Sequence, residues 1–392
     1  SPSFTLHSFV PSCCPFPAVS SPPTQLLPLL PPFLSNPSPT RFPIAMTEVT
    51  ANHEEGPVQL SKGTIINQWK VVKKLGEGGC GAVYLVEHLT NKQKAALKAE
   101  SNFVEGGSVL KVEADILARL KGKKHVTELL GAAKRASFQY IIMSLLGPSL
   151  NTLLKRCGRE CAVTTQLRIG VNVLFGLKQI HDAGFVHRDI KPANLAVGVA
   201  PGTNPNIIYI LDFGLSREFV EKAPKGGYKI RRPRRKILFR GTPRYCSLNV
   251  HRRKEQSRGD DLWSLLYVLV ELRGKLPWHK LNEKEEVRKA KEATSDQELL
   301  SKCPKQLHKF IAHLRTLDYW MRPDYFLLYG YLLEAMREDD YRFTDRWDWE
   351  NKRILGTISV SLSMNKKLST TQDDDDPNPF TDGDFKSNPL GF

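Results

Sequence analysis

His187-Arg188-Asp189-Ile190-Lys191-Pro192-Ala193-Asn194, followed eighteen positions later by Asp212-Phe213-Gly214, is the stretch on which the reading of this chain turns. Asp189 can accept a proton from a hydroxyl, and Lys191 can stabilise charge on a group in transfer. Asn194 and Asp212 offer the hard oxygen donors that Mg²⁺ prefers, with phosphate oxygens and water completing an octahedron. A His-Arg-Asp triplet by itself fits any surface loop; the ordered pair of motifs does not.

Working outward, Leu75-Gly76-Glu77-Gly78-Gly79-Cys80-Gly81-Ala82-Val83 is a GxGxxGxV pattern between two strand-like runs. Glycines at 76, 78 and 81 remove Cβ atoms and let the backbone approach phosphates closely. A glycine-rich hairpin turn would show the same glycines. Here, however, the loop joins strand to strand, whereas a dinucleotide-binding loop opens a helix. Cys80 reads as a small filler rather than a reactive thiol. Ala95-Ala96-Leu97-Lys98 follows on a third strand, and Glu113, fifteen residues later, shares a helix face with Val109 and Leu117. An inward carboxylate needs a partner, because a buried unpaired charge is costly. Lys98 is the natural one, and the pairing would aim its ammonium at the α- and β-phosphates of ATP; a surface ion pair is the alternative. The full ordered set points to phosphoryl transfer, which asks a protein for positioning and charge neutralisation.

That set resembles the eukaryotic protein kinase catalytic domain over about Trp69 to Met336, and finer features are similar to the casein kinase 1 superfamily, in particular its tau-tubulin kinase branch. Leu145-Leu-Gly-Pro-Ser-Leu150 looks like that superfamily's segment after the hinge. Arg244-Tyr-Cys-Ser-Leu-Asn249 stands where most kinases carry Ala-Pro-Glu. His251, Glu255-Gln-Ser-Arg-Gly-Asp-Asp-Leu262 and Pro323-Asp-Tyr325 continue the match, and Asp260-Asp-Leu-Trp-Ser264 and Asp348-Trp-Glu350 are closer to the tau-tubulin branch. The resemblance implies a non-specific serine/threonine protein kinase using ATP and Mg²⁺. By it, Met143 is the gatekeeper, Val83, Ala96 and Ala196 line the adenine slot, and Asp261 braces the catalytic loop. It also implies a leaning toward acidic or already phosphorylated substrates, often without activation-loop phosphorylation. Tau and tubulin are not carried over as substrates.

The composition is that of a globular protein of 392 residues, 41% hydrophobic and 25% charged, with 57 Lys+Arg against 41 Asp+Glu. Such a basic balance favours polyanions or acidic protein segments as partners. Seven scattered cysteines without a repeated CxxC suit a reducing compartment. No apolar run reaches the length of a membrane span, and no Lys or Arg precedes Arg41, so membrane insertion and a secretory signal are both disfavoured. The expected location is cytoplasmic, with the nucleus as an alternative.

Residues 1–63 read as a disordered Pro-rich segment: 1–45 hold twelve of the 26 prolines and no Asp or Glu. The first methionine is Met46, and 1–45 read as translated upstream sequence or a cloning artefact. The kinase domain is expected over 64–350, with a small lobe over 64–146 and a large one over 147–350. The first is an antiparallel strand meander with one helix, capped by Ser108 and stopped at Gly122, and a last strand pair near Val126–Leu130 and Tyr140–Met143. The second is mostly helical, with helices over Thr165 to Ala183, Gly259 to Leu272, Leu307 to Leu317 and Tyr325 to Arg337. The class is therefore α+β, two-lobed. Residues 351–392 are expected to be a disordered acidic tail around Asp373–Asp376, either solubilising or folding back as an inhibitor. Its Asn378-Pro-Phe380 is like an adaptor-binding tripeptide.

Arg231, Arg232, Arg234 and Arg235, between Asp212 and Asn249, form a candidate site for substrate anions, since guanidinium groups pair bidentately with phosphate. A solvated charge run or a nuclear address would look the same. Protein substrates, whether acidic, phospho-primed or cytoskeletal, are the expected partners of a monomer. A pseudokinase scaffold would be expected to lack Lys98, Asp189 or Asp212. A nucleic-acid or microtubule binder would rest on basic charge alone, without zinc-ligand spacing or an aromatic RNA-binding signature.

Overall fold

Alternation sets the small lobe. Along β3 (Gly81–His88), Ala82, Tyr84 and Val86 are buried, while Val83 and Leu85 point to the other face. With β1 (Ile65–Ile66), β2 (Trp69–Gly78), β4 (Lys94–Ser101), β5 (Leu129–Lys134) and β6 (Phe138–Ser144) it forms an antiparallel sheet in the order β1-β2-β3-β4-β6-β5. One face carries its own core of Trp69, Val71, Ala82, Tyr84, Val86, Leu97 and Tyr140. Against the other lies α1 (Leu110–Arg119), whose Leu110, Glu113, Ile116 and Leu117 are buried at helical spacing. The computed structural model describes residues 57–78, 81–103, 107–350 and 378–392, all within one unit of the chain, Asn52–Phe392.

Two local expectations shift. Val109, not Ser108, occupies the position before α1; Ser108 Oγ instead donates to Glu100 at 2.6 Å and accepts the Leu110 N–H. The last strand pair starts three residues late, because Val126 makes a parallel bridge to Ile210.

The large lobe begins with α2 (Leu150–Arg156) and α3 (Val163–Asp182), the latter buried almost throughout and packed between later helices. Short strand pairs follow: β7 (Phe185–Val186) with β10 (Arg217–Glu218), β8 (Leu195–Val197) with β9 (Ile208–Ile210), and β11 (Val220–Lys222) with β12 (Tyr228–Ile230). Then come α4 (Leu248–His251), α5 (Arg258–Leu272), α6 (Lys284–Ala293), α7 (Asp296–Leu299), α8 (Gln306–Thr316) and α9 (Tyr325–Glu338). The strongly apolar α3, α5, α8 and α9 lie close to where periodicity predicts them. Helix α6 goes unread because only Val287 and Lys291 of its ten residues are buried, too few for an apolar stripe. Among the described residues no helix is long and apolar enough to cross a membrane.

The C-terminal expectation is corrected. Asp373–Asp376 and residues 1–45 lie outside the described residues, but 378–392 are folded against the large lobe. Phe385 is buried and stacks on Tyr329 with ring centroids 4.0 Å apart, while Phe380 packs on Phe175 and His125. Asn378 donates to the Tyr329 hydroxyl at 2.6 Å, so the adaptor-like tripeptide is used within the chain. A five-residue helix, α10 (Asp382–Lys386), opens on a Thr381/Asp384 capping box. Beyond the acidic run the tail turns aromatic, and burying each phenylalanine stabilises docking by roughly 1.5–3 kcal/mol.

The docked tail covers a titrating group. His125, between Phe175 and Phe380 with Nδ1 against the Ile208 carbonyl at 3.0 Å, has its pKa lowered to about 4 by burial. Below pH 6.5 the unfolded chain binds a proton that folded His125 refuses, so its contribution is complete above 6.5 and lost as pH falls toward 4. At pH 5 the loss is about 2 kcal/mol. Urea midpoints should therefore fall between pH 7 and pH 5. In addition, Phe385→Ala should cost about 3–5 kcal/mol; a variant with the wild-type midpoint would show that the tail is not docked.

Candidate active site

The site starts from a carboxylate that touches no substrate. Asp261, on the first turn of α5 and 1% exposed, accepts the backbone N–H of His187 and of Arg188, both at 2.7 Å, and the Nε2–H of His181 at 2.9 Å. Burial works against its charge, but His181 and the His187 N–H outweigh it and hold the carboxyl below the usual range. His181 in turn faces the Tyr325 hydroxyl at 2.6 Å, and burial holds the imidazole below its ordinary pKa despite Asp261. The clamp holds Arg188 at φ +71°, a conformation that side chains other than glycine adopt rarely.

From that bend Asp189 emerges buried. Lys191 Nζ donates to its Oδ2 at 2.6 Å, and the Thr242 hydroxyl donates to its Oδ1 at 2.8 Å. Asn194 donates its amide to the Asp189 carbonyl at 2.9 Å, which leaves its own oxygen available as an acceptor. The strand pair β8–β9 brings up Asp212: Leu211 N–H bonds to the Asn194 carbonyl, and the Leu211 carbonyl meets His187 Nε2, both at 2.9 Å. Asp212 itself sits at φ +64°.

From the small lobe, Lys98 on β4 donates to Glu113 on α1 at 2.7 Å and to Asp212 at 3.1 Å. Burial alone would push the Lys98 ammonium down, but Glu113 and Asp212 outweigh it and hold its pKa above the usual lysine value. Lys98 likewise outweighs burial at Asp212, keeping that carboxyl low. Glu113 also accepts the Phe213 N–H at 3.3 Å. Thus Lys98, Glu113, Asp189, Lys191, Asn194 and Asp212, spread over 115 positions, meet at one cleft. Asn194 and Asp212 present two oxygen donors there, half of Asp212 exposed to the cleft. That donor chemistry fits a Mg²⁺ ion completed by phosphate and water.

The adenine-slot residues divide. Ala96 pairs across the sheet with Met143, both belong to the inner core, and Val83 packs against it. Ala196 is buried on β8 and itself forms an isolated antiparallel bridge with Ser149. Ala82, however, lies on the opposite face of β3 in the outer core, so only its backbone borders the loop. Leu75 is exposed, and Glu77 pairs with Lys74 on β2. Gly76 and Gly78 have open space where a Cβ would lie, as close approach by a phosphate requires. Gly81 does not: a Cβ there would stand 2.2 Å from the Ala99 carbonyl, so this glycine serves strand packing. Gly79 and Cys80 fall outside the described residues.

The four arginines also divide. Arg234 is held bidentately by Glu255 at 2.7 and 2.8 Å, and Arg231 by Glu218 at 2.8 Å. Arg232 and Arg235 are exposed and have no ion-pair partner among the described residues. Sequence reasoning passed over Thr242, and it quoted Glu255 only as part of a matching segment, without a role. Gly241, at φ +115° with its Cα against the Arg188 carbonyl, is the signal for Thr242: only glycine lets the segment come that near.

Compared with known proteins, residues 69–328 match the protein kinase domain family. A Caenorhabditis elegans protein named as a serine/threonine-protein kinase is 41% identical over 343 residues, covering 86% of this chain and 99% of its own. Casein kinase I homolog 2 of Schizosaccharomyces pombe is 33% identical over 288 residues, 72% of this chain and 65% of that protein. An inactive tau-tubulin kinase of Caenorhabditis elegans is 34% identical over 235 residues, 58% of this chain and 81% of the relative.

Thr242→Val keeps shape and removes the hydroxyl that bonds Asp189. Turnover should fall about 10- to 100-fold with an unchanged melting temperature, read by steady-state kinetics and calorimetry.

Proposed function

The chain belongs to the protein kinase domain family, among relatives that include casein kinase I homologs and a tau-tubulin kinase, and is a serine/threonine protein kinase; on that premise we propose that it phosphorylates acidic or phosphorylated protein segments in the cytoplasm. The single observation that supports catalysis is the convergence of Lys98, Asp189, Asn194 and Asp212: Lys98 bonds Asp212 at 3.1 Å, Asn194 bonds Asp189 at 3.2 Å, and the N–H of Leu211, next to Asp212, joins the two pairs by donating to the Asn194 carbonyl at 2.9 Å. A relative named inactive shows that the fold alone does not secure activity. This chain keeps the lysine and both aspartates.

In the proposed chemistry, Asp189 accepts the proton of a substrate serine or threonine hydroxyl as the oxygen attacks the γ-phosphorus of ATP, and the bond from that phosphorus to the β–γ bridging oxygen breaks, so that ADP leaves with the electron pair. Lys191, already against Asp189, is placed to stabilise the charge on the phosphoryl group in flight. Lys98, oriented by Glu113, binds the α- and β-phosphates, while Val83, Ala96, Met143 and Ala196 take the adenine. Asn194 and Asp212 would hold magnesium, which supplies charge neutralisation for the phosphates.

For the substrate, the supporting feature is Arg232 and Arg235, exposed with Lys236 and Arg240 in the segment that leads to Thr242, whose hydroxyl bonds Asp189. Arg231 and Arg234 are withdrawn from the earlier group of four, since their charges are spent within the fold.

Radiolabelled ATP with casein, tubulin and a phospho-primed peptide panel tests the activity. Asp189→Asn should lower kcat about 10²- to 10⁴-fold while ATP binding persists. The pair Arg232→Ala and Arg235→Ala should raise KM for acidic peptides more than for neutral ones. An equal rise for both would remove the substrate reading and leave the kinase reading intact.

A further inference from the structure

Arg258 opens α5 one turn ahead of Asp261, the carboxylate that clamps the catalytic loop. It carries a guanidinium, yet the residue is only 3% exposed. A buried charge of that kind is tolerable when its N–H groups are satisfied. Among the described residues Arg258 forms no ion pair. It donates instead to two carbonyl oxygens, that of Trp320 at 3.0 Å and that of Phe392 at 3.4 Å. It also lies over two rings, 4.9 Å from the centroid of Phe219 and 5.8 Å from that of Phe392. Phe219 belongs to the activation segment and Phe392 to the docked tail.

An apolar contact joins the same elements. Val186, the residue before His187, is buried with Phe219 and Val220 in a cluster separate from the main cores, and Ile230, Leu390 and Phe392 pack against it. Only three buried residues make up this cluster, so the two tail side chains are a large part of its cover. Phe219 is also a backbone junction: its N–H donates to the Gly184 carbonyl ahead of β7 at 2.9 Å, and its carbonyl accepts the Arg231 N–H after β12 at 2.8 Å. The tail is led to this place by Phe385 and then by Ser387. The Ser387 hydroxyl accepts Nζ of the buried Lys178 at 2.7 Å, and its carbonyl accepts Arg322 Nη2 at 2.8 Å.

We propose that Leu390 and Phe392 are positioning residues for phosphoryl transfer: seated on Val186, Phe219, Val220 and Arg258, they hold the β11–β12 hairpin of the activation segment and the entry to the catalytic loop in working register. The inference rests on the kinase reading above and deepens it, because it makes the docking of the tail an input to turnover. Lys98 and Glu113, which face ATP, sit on β4 and α1 and take no part in this cluster. Lifting the tail therefore slows the transfer step and leaves nucleotide binding as it is. A shift of about 1 Å in groups that orient a reaction is enough to cost up to about 100-fold in rate, so a contact of this size suffices without touching a catalytic residue.

The test uses the full chain. Phe392→Ala should lower kcat toward a peptide about 10- to 100-fold with KM for ATP unchanged, and hydrogen exchange over residues 218–232 should quicken. Phe392→Leu, which keeps an apolar body on the cluster, should retain most of the turnover. Phe385→Ala, which frees the tail from its other anchor, should reproduce the loss. Where Phe392→Ala does not fold, Leu390→Ala cuts the same contact and is measured in the same way. Wild-type kcat in the alanine variant overturns the proposal, even when its melting temperature falls, since that is the mark of a merely structural contact. A rise in KM for ATP that matches the loss of kcat overturns it too, as does a leucine variant no better than alanine. A wild type with no activity above Asp189→Asn would instead sink the kinase reading. In that event exchange over 218–232 still decides: quickened in Phe392→Ala, the tail orders the segment; unchanged, it does not.

Discussion

A single buried carboxylate governs the catalytic centre. Asp261 is surrounded by three N–H donors, two of them backbone amides of the loop that carries Asp189. Removing such a charge from water is expensive, and only a full set of hydrogen bonds makes it tolerable. The donors are held as firmly as the acceptor, which keeps Arg188 in a left-handed conformation that the loop alone would not choose. The rigidity of the buried α5 is thereby transmitted to Asp189. From there the bonds run outward to Lys191, Thr242 and Asn194, and through Leu211 to Asp212.

Charge is distributed on the same principle throughout the site. Several buried or half-buried polar groups are met by partners from another element: Lys98 by Glu113 and Asp212, Glu255 by Arg234, Asp260 by Ser247 and Asn249. The last contact is where Asn249 replaces the carboxylate usual at the end of an activation segment. There the Asn249 amide donates at 3.2 Å to Asp260, which is also the N3 residue of the α5 capping box. The excess of basic residues is thus only partly available to a ligand; much of it neutralises carboxylates inside the fold.

The two-lobed α+β architecture and the strongly apolar helices were legible because burial forces a period on the sequence, two for β3 and close to 3.6 for α1 and α5. The motif residues were legible because their chemistry dictates residue type and order. Three things were not. Gly81 and Ala82 belong to the loop motif, yet one answers to the Ala99 carbonyl and the other to the outer core, because a strand neighbour is invisible in a linear pattern. Helix α6 hides since almost none of it is buried. The tail reads as acidic and disordered from Asp373–Asp376, whereas Phe380 and Phe385, a few residues on, find a groove made by α3, α9 and His125.

By itself, then, the amino-acid order determined the fold class, the lobes, and the identities of the base, the lysines and the oxygen donors, because local periodicity and chemical necessity are written residue by residue. Only the tertiary structure decided which charges are free. Arg231 and Arg234 are paired with carboxylates and Arg232 and Arg235 exposed, Glu255 is held by Arg234 with Arg217 close by, and the last fifteen residues are bound to the domain. Those outcomes depend on which carboxylates and aromatic faces come within a few ångströms after folding. Electrostatic and packing energies fall off with that distance and take no account of separation along the chain.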